Sequence, residues 1–303
     1  MVSMTFLHPK TGTLTKLGFA QLLQFYPHVQ QVAYRSKIKD PKKLSTAQQD
    51  HDWRYDELPK LVAQRGTTLS SAYLEKEELV RLIQWKIVHG QNRPFLPGMV
   101  KKNEQQRVKE VISSTFGIQA GASYEGIKVP EPLDRALREA AQLHGIGPAT
   151  ATLICSINDP TNVAFFEDEL AEWLCPDVPK LKYTWAEYKS LFAQIVKLRM
   201  RLGLDHKAVD IEKVGFVVGH FHMLDDKQRE ALSSVDQDEM SAGDATKDEP
   251  ENSTAGSHSS QHGKNLPRGS KVKDATTKRK ERAEEDIPTN EGDGKAKVKR
   301  KKK

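Results

Sequence analysis

Residues 143–157 read LHGIGPATATLICSI, and residues 163–174 read VAFFEDELAEWL. Between them they hold the types that could do chemistry. In the first, Gly145 and Gly147 flank Ile146 and precede Pro148. Glycine accepts positive φ and leaves no side chain over a turn, while proline suits the first helical position because its missing N–H removes no bond there. Two such glycines in a helix interior would each cost about 1 kcal/mol, so the stretch reads as a tight turn opening a helix. Amides at a helix start have no intrahelical partner and sit at the positive end of the helix dipole, which suits a phosphate oxygen. The second stretch carries Glu167, Asp168 and Glu169 in a row. A fixed carboxylate in a dry site stabilises developing positive charge and can orient a water. The competing structural reading is that these acids cap a helix start.

These residues need elements to position them, and residues 1–224 read as successive helices. Candidate segments are 14–34 (with a bend near Pro27), 45–65, 74–89, 98–115, 131–143, 147–157, 168–174, 184–202 and 206–221. Leu79, Leu82, Ile83 and Ile87 form one apolar stripe, and Leu191, Phe192, Ile195, Val196 and Leu198 another. Pro94, Pro97, Pro130 and Pro160 lie between segments, and Gly66, Gly90, Gly117 and Gly203 fall where helix stops belong. No convincing alternating run and no repeat occurs. A short N-terminal hairpin aside, the expected class is all-α.

The chain has 303 residues, of which 37% are hydrophobic, and its mean hydropathy is −0.64. The polar excess is concentrated past residue 224, where no aromatic residue occurs. Such a composition cannot bury enough apolar surface to offset chain entropy, so 225–303 is expected to be a disordered tail. Residues 1–224 are enough for one hydrophobic core. The net charge of +6 points towards a polyanionic partner. The tail is acidic first and basic last, with Lys278, Arg279 and Lys280 in one cluster and Lys299, Arg300, Lys301, Lys302 and Lys303 in another. Such blocks read as nuclear import signals, bound by an import receptor, or as nucleic-acid contacts; a solvated tail without a reader is the alternative. Only Cys155 and Cys175 are present, too few for a disulfide scaffold or a four-cysteine metal or iron–sulfur site. No apolar run is long enough to span a membrane and no signal-peptide profile is present. The expectation is a nuclear protein that does not engage membranes.

LHGIGPATA resembles the helix-hairpin-helix element L-x-G-[IV]-G-x-x-[TS]-A of the DNA glycosylase superfamily known as HhH-GPD. In that superfamily an apolar stretch follows the hairpin, and then a helix opens on the catalytic aspartate. Here Asp168 lies 21 residues past Gly147, after VAFF. The resemblance covers about 74–221, with the hairpin at 131–157, and ELVRLIQWKIVHGQNRP at 78–94 is similar to uncharacterised eukaryotic members. It implies binding of double-stranded DNA through Gly145, Ile146, Gly147, Ala149 and Thr150, with His144 beside them as a phosphate contact or a plain surface histidine; a monomer is expected. It also implies removal of a damaged or mismatched base, as in base excision repair, with Asp168 catalytic and Glu167 as the alternative acid. No cofactor is expected beyond room for a monovalent cation at the hairpin. The target nucleotide would be flipped out, since its glycosidic bond is inaccessible in a duplex. Trp85 is a candidate wall for the base, although an aromatic on an amphipathic helix also reads as core.

The chain departs from the family pattern twice. Members that also cleave the strand carry a Schiff-base lysine two residues past the second hairpin glycine, where this chain has Ala149; that route is closed, which implies a monofunctional enzyme. The Ser/Gln-rich helix end that enters the duplex is replaced by WKIVHGQNR, with Gln91 and Asn92 as the nearest equivalents. Lys86, His89, Arg93, Lys101, Lys102 and Arg107 make 85–107 basic, which suits backbone contact or a solvated face. A catalytically silent DNA-binding or scaffold protein on the same fold therefore stands beside the enzyme reading.

Overall fold

The computed structural model describes residues 10–68, 72–178, 180–203 and 205–232. The chain divides into two units, Met1–Glu249 and Pro250–Lys303, and all the described residues lie in the first. The protein is all-α: among the described residues there is no strand, and no helix is long and apolar enough to cross a membrane. Residues 1–9, part of the N-terminal stretch for which the sequence left a short hairpin open, and the basic clusters at 278–280 and 299–303 lie outside the described residues.

The helices are α1 (Lys16–Lys37), α2 (Pro41–Asp52), α3 (Leu58–Thr68), α4 (Lys76–His89), α5 (Leu96–Val100), α6 (Gln105–Gln119), α7 (Glu131–Ala140), α8 (Pro148–Asn158), α9 (Asp168–Leu174), α10 (Trp185–Leu202) and α11 (Ala208–Gly219). Local chemistry starts them. The Thr15 hydroxyl accepts from the Gly18 amide at 3.0 Å to begin α1, and Asp40 caps α2 through the amides of Lys42 and Lys43. A π-helical turn, Trp53–Glu57, joins α2 to α3, so the expected helix 45–65 is a run from 41 to 68 with one widened turn. It carries both Trp53 and Arg54 into the interior.

The central element is α8, in which every residue from Ala149 to Ile157 is buried. A helix apolar on all sides must be surrounded, and α3, α6, α7 and α10 pack around this one. Two other features matter for the site. The expected helix 98–115 is broken into α5 and α6, with Asn103 in the break. Helix α9 lies very close to α11, because a Cβ on Gly215 would stand 2.9 Å from the Leu170 Cα; the missing side chain lets the two backbones approach. Past the boundary read at residue 224, residues 226–232 are helical and Leu232 is buried, so the helical fold reaches beyond the point where composition turns polar.

Candidate functional site

The turn between α7 and α8 is held from outside by one side chain. The Asn103 Oδ1 accepts from the His144 amide at 2.8 Å, and its Nδ2 donates to the His144 carbonyl at 3.0 Å. Gly145 has φ +84°, and a Cβ there would meet the Met99 Cβ at 3.0 Å and the Val100 Cγ2 at 3.2 Å. This glycine is therefore required twice, by its backbone and by the approach of α5. Gly147 differs: φ is −101° and a Cβ would meet nothing within 4 Å. Ile146 is buried and anchors the turn in the core. The Gly147 carbonyl accepts from the amides of Thr150 and Ala151, while the amides of Gly147 and Ala149 have no partner among the described residues.

Gly145, Gly147, Pro148, Ala149 and Thr150 form one wall of a cleft of about 250 Å³, whose other walls include Lys86, Arg93 and Lys182. The residues that carry these two amides line the same cleft as three cationic side chains, a combination suited to an anion. His144 is exposed and is not part of the cleft wall. A second, narrower cleft shares Lys86, Arg93 and Tyr183 with the first and is also lined by Gln91, Phe165, Phe166, Glu167 and Asp168. The turn and Asp168 thus stand on two clefts with common walls.

The segment 163–167 that presents Asp168 is tied down before α9 begins. The Phe165 amide donates to the Glu212 Oε2 at 2.8 Å, and the Phe166 amide donates to the Thr152 hydroxyl at 2.9 Å. Glu212 is fully buried and also accepts from Arg54 at 3.2 Å and from the Tyr55 hydroxyl at 2.8 Å. Its charge is therefore compensated where it cannot be hydrated.

The two neighbouring acids have opposite environments. Glu167 occupies the cap position of α9 without a side-chain cap bond. Its carboxylate is buried, with Oε2 3.3 Å from the Nε2 of the equally buried His89. Burial pushes the Glu167 carboxyl well up, with Glu212 adding to the effect, and burial pushes the His89 imidazole well down. Both directions favour a neutral acid beside a neutral ring. Asp168, the first residue of α9, is half-buried and accepts a short hydrogen bond from the Tyr183 hydroxyl. Tyr183 has φ 56°, an uncommon conformation for a bulky residue. Arg93 lies 4.8 Å over its ring and Phe166 packs beside it at 5.7 Å. Burial raises the Tyr183 pKa, and its bond to Asp168 acts in the same direction, so the hydroxyl stays a donor. The space in this second cleft is about 20 Å³, room for a single water and no more.

Lys86 belongs to both clefts. Its Nζ lies 5.2 Å from the centre of the Phe165 ring, and it makes no ion pair or hydrogen bond among the described residues. Burial brings its pKa down to about 8, with Arg93 acting the same way and Asp168 and Glu167 opposing.

Trp85, expected to wall a base pocket, requires correction. It is 1% exposed and absent from both clefts. Its ring stacks on His89 at 4.7 Å and meets Tyr55 edge-on at 5.8 Å, so it is part of the interior. The exposed Gln91, singled out as a residue that could enter a duplex, does line the Asp168 cleft. Tyr183 and Lys182 were not anticipated from the sequence; they lie in a connection without a motif and reach the clefts only through the placement of α10. Among the described residues no group of three His, Cys, Asp or Glu could hold a metal ion, and both cysteines are free thiols.

No family model, no curated protein and no solved structure matches this chain.

Proposed function

We propose that this protein binds double-stranded DNA through the α7–α8 turn and releases a damaged or mismatched base at Asp168, on a fold of the helix-hairpin-helix glycosylase kind. One observation carries the reading: the glycine turn and the Asp168 carboxylate line two clefts that share Lys86, Arg93 and Tyr183. The cations and free amides suit the phosphates that flank a flipped nucleotide. The carboxylate suits the positive charge that develops on the sugar as the base departs, and the water-sized space beside it suits the attacking nucleophile. A base is far larger than that space, so Tyr183 has to leave Asp168 for the nucleotide to enter. The basic clusters of the tail complete the proposal as a nuclear import signal.

The Tyr183–Asp168 hydrogen bond also favours a second reading, DNA binding without base release, in which the carboxylate is permanently occupied. One assay decides between them. Duplexes carrying alkylated, oxidised or deaminated bases are incubated with the protein and then treated with alkali, which breaks the strand at abasic sites. Base release by the parent, abolished in Asp168→Asn while duplex affinity is kept or improved, is the expected result, because the substitution removes charge stabilisation and also repulsion from phosphates. Binding with no base release across the panel establishes the second reading. No duplex binding at all defeats both.

A further inference from the structure

We propose that the exposed corner between α1 and α2 is a second phosphate-binding surface, which extends the DNA contact from the Asp168 cleft onto the N-terminal helices. The proposal rests on the DNA-binding reading for its partner. The corner lies outside residues 74–221, the stretch that resembles the glycosylase superfamily. Residues 35–43 read RSKIKDPKK and hold five cations, Arg35, Lys37, Lys39, Lys42 and Lys43, against one acid. All five are exposed, and none makes an ion pair among the described residues. The acid, Asp40, is committed to capping α2, where it accepts from the amides of Lys42 and Lys43 at 2.8 and 3.0 Å. Lys42 and Lys43 themselves stand in the first turn of α2, which holds no acid. That is the positive end of the helix dipole, where cations cost stability. Folding alone gives no reason for this crowding of like charge, and a row of phosphates relieves it while releasing counterions.

Two contacts put this corner beside the site. The Lys37 Nζ donates to the carbonyl of His89, the last residue of α4, at 3.0 Å. The next two residues, Gly90 and Gln91, line the Asp168 cleft. Burial pushes the Glu169 carboxyl up and Lys37 opposes it, so the same ammonium is within electrostatic reach of the start of α9. The corner thus adjoins the Asp168 cleft at Gly90 and Gln91, while the glycine turn adjoins it through Lys86, Arg93 and Tyr183. Contacts of this kind carry no sequence information; they fix where a protein sits on a duplex. A duplex held at the turn alone is free to pivot, and one held at the corner as well is not.

The test uses the full chain and a short blunt-ended duplex. Lysines are acetylated with an N-hydroxysuccinimide ester, with and without duplex, and mapped by peptide mass spectrometry. Bound duplex should protect Lys39, Lys42 and Lys43. The exposed Lys60 and Lys128, which line neither cleft, should stay reactive. Affinity is then measured against salt. Lys39→Gln, Lys42→Gln and Lys43→Gln together leave the Lys37 bond and the Asp40 cap in place and should keep the parent's urea midpoint. The triple variant should lose about tenfold or more in affinity near physiological salt, equally for any duplex sequence. Its slope of log affinity on log salt should flatten by about 2–3, close to one for each lysine removed. Lys60→Gln with Lys128→Gln should change that slope by less than about 0.5. An unchanged slope in the triple variant, an equal loss per charge in the control pair, or no protection of the three lysines overturns the second surface and leaves the DNA reading standing. A parent that binds no duplex overturns both, including one that these lysines carry to phosphatidylserine vesicles instead.

Discussion

Glu212→Gln tests whether the buried charge under the site does hold it in place. Glu212 has no exposure and accepts three hydrogen bonds, from Arg54 Nη2, the Tyr55 hydroxyl and the Phe165 amide. A carboxamide in the same volume has one oxygen. If that oxygen faces Phe165, the NH₂ group is turned on Arg54, donor against donor, and Tyr55 keeps a bond only by rotating its hydroxyl to accept. If it is flipped, the clash falls on the Phe165 amide. Either way Arg54, buried and without the compensating charge, is left in a dry interior, and loss of one partner of such a pair costs about 3–5 kcal/mol. With a urea slope of ~3 kcal/mol per molar for a domain of this size, the midpoint should fall by about 1–1.7 M. The assay is urea unfolding followed by circular dichroism on parent and variant. Arg54→Met combined with Glu212→Gln removes both charges and should be less destabilised than Glu212→Gln alone, a coupling that a double-mutant cycle measures. Because Phe165 stands three residues before Asp168, Glu212→Gln should also lose base release under conditions where it is still folded. A midpoint shift below about 0.3 M would refute the reasoning, since the pair would then contribute no more than a surface contact.

The two glycines of the turn should part company. Gly145→Ala puts a methyl into Met99 and Val100 at positive φ and should lower thermal stability, by about 1–3 kcal/mol. Gly147→Ala meets nothing and should leave stability unchanged while weakening duplex binding severalfold; equal affinity in the folded Gly147 variant would take the turn out of the DNA contact. His51 gives the acid limit. Burial, with Arg54 and Lys213 adding to it, depresses its pKa to about 3, so its stabilising contribution is complete above the usual value of about 6.5 and is lost as pH falls below it. Between pH 7 and pH 5 the parent should lose about 2 kcal/mol relative to His51→Gln, read from urea midpoints of the two proteins at each pH; a difference that does not change over that range would mean His51 is not buried as a neutral ring.

The sequence by itself determined the helical class, since apolar residues recur at helical spacing through 74–89 and 184–202, and such periodicity has one packing solution. It also located the turn, because Gly145, Gly147 and Pro148 each restrict the backbone locally, and it placed a row of acids at the start of α9. It could not say which acid is which. Adjacent residues at a helix start point in different directions, and only the packing of α9 against the glycine face of α11 turns Glu167 towards His89 and Asp168 towards Tyr183. Nor could it separate Trp85 from Lys86, neighbours on α4, of which one is interior and the other lines both clefts. The break at Asn103 was hidden for a similar reason: its purpose is a contact with His144, 41 residues away. Lys86, Arg93, Gly147, Asp168 and Tyr183 come from separate stretches of chain, and their convergence depends on how the helices pack, which local periodicity does not encode.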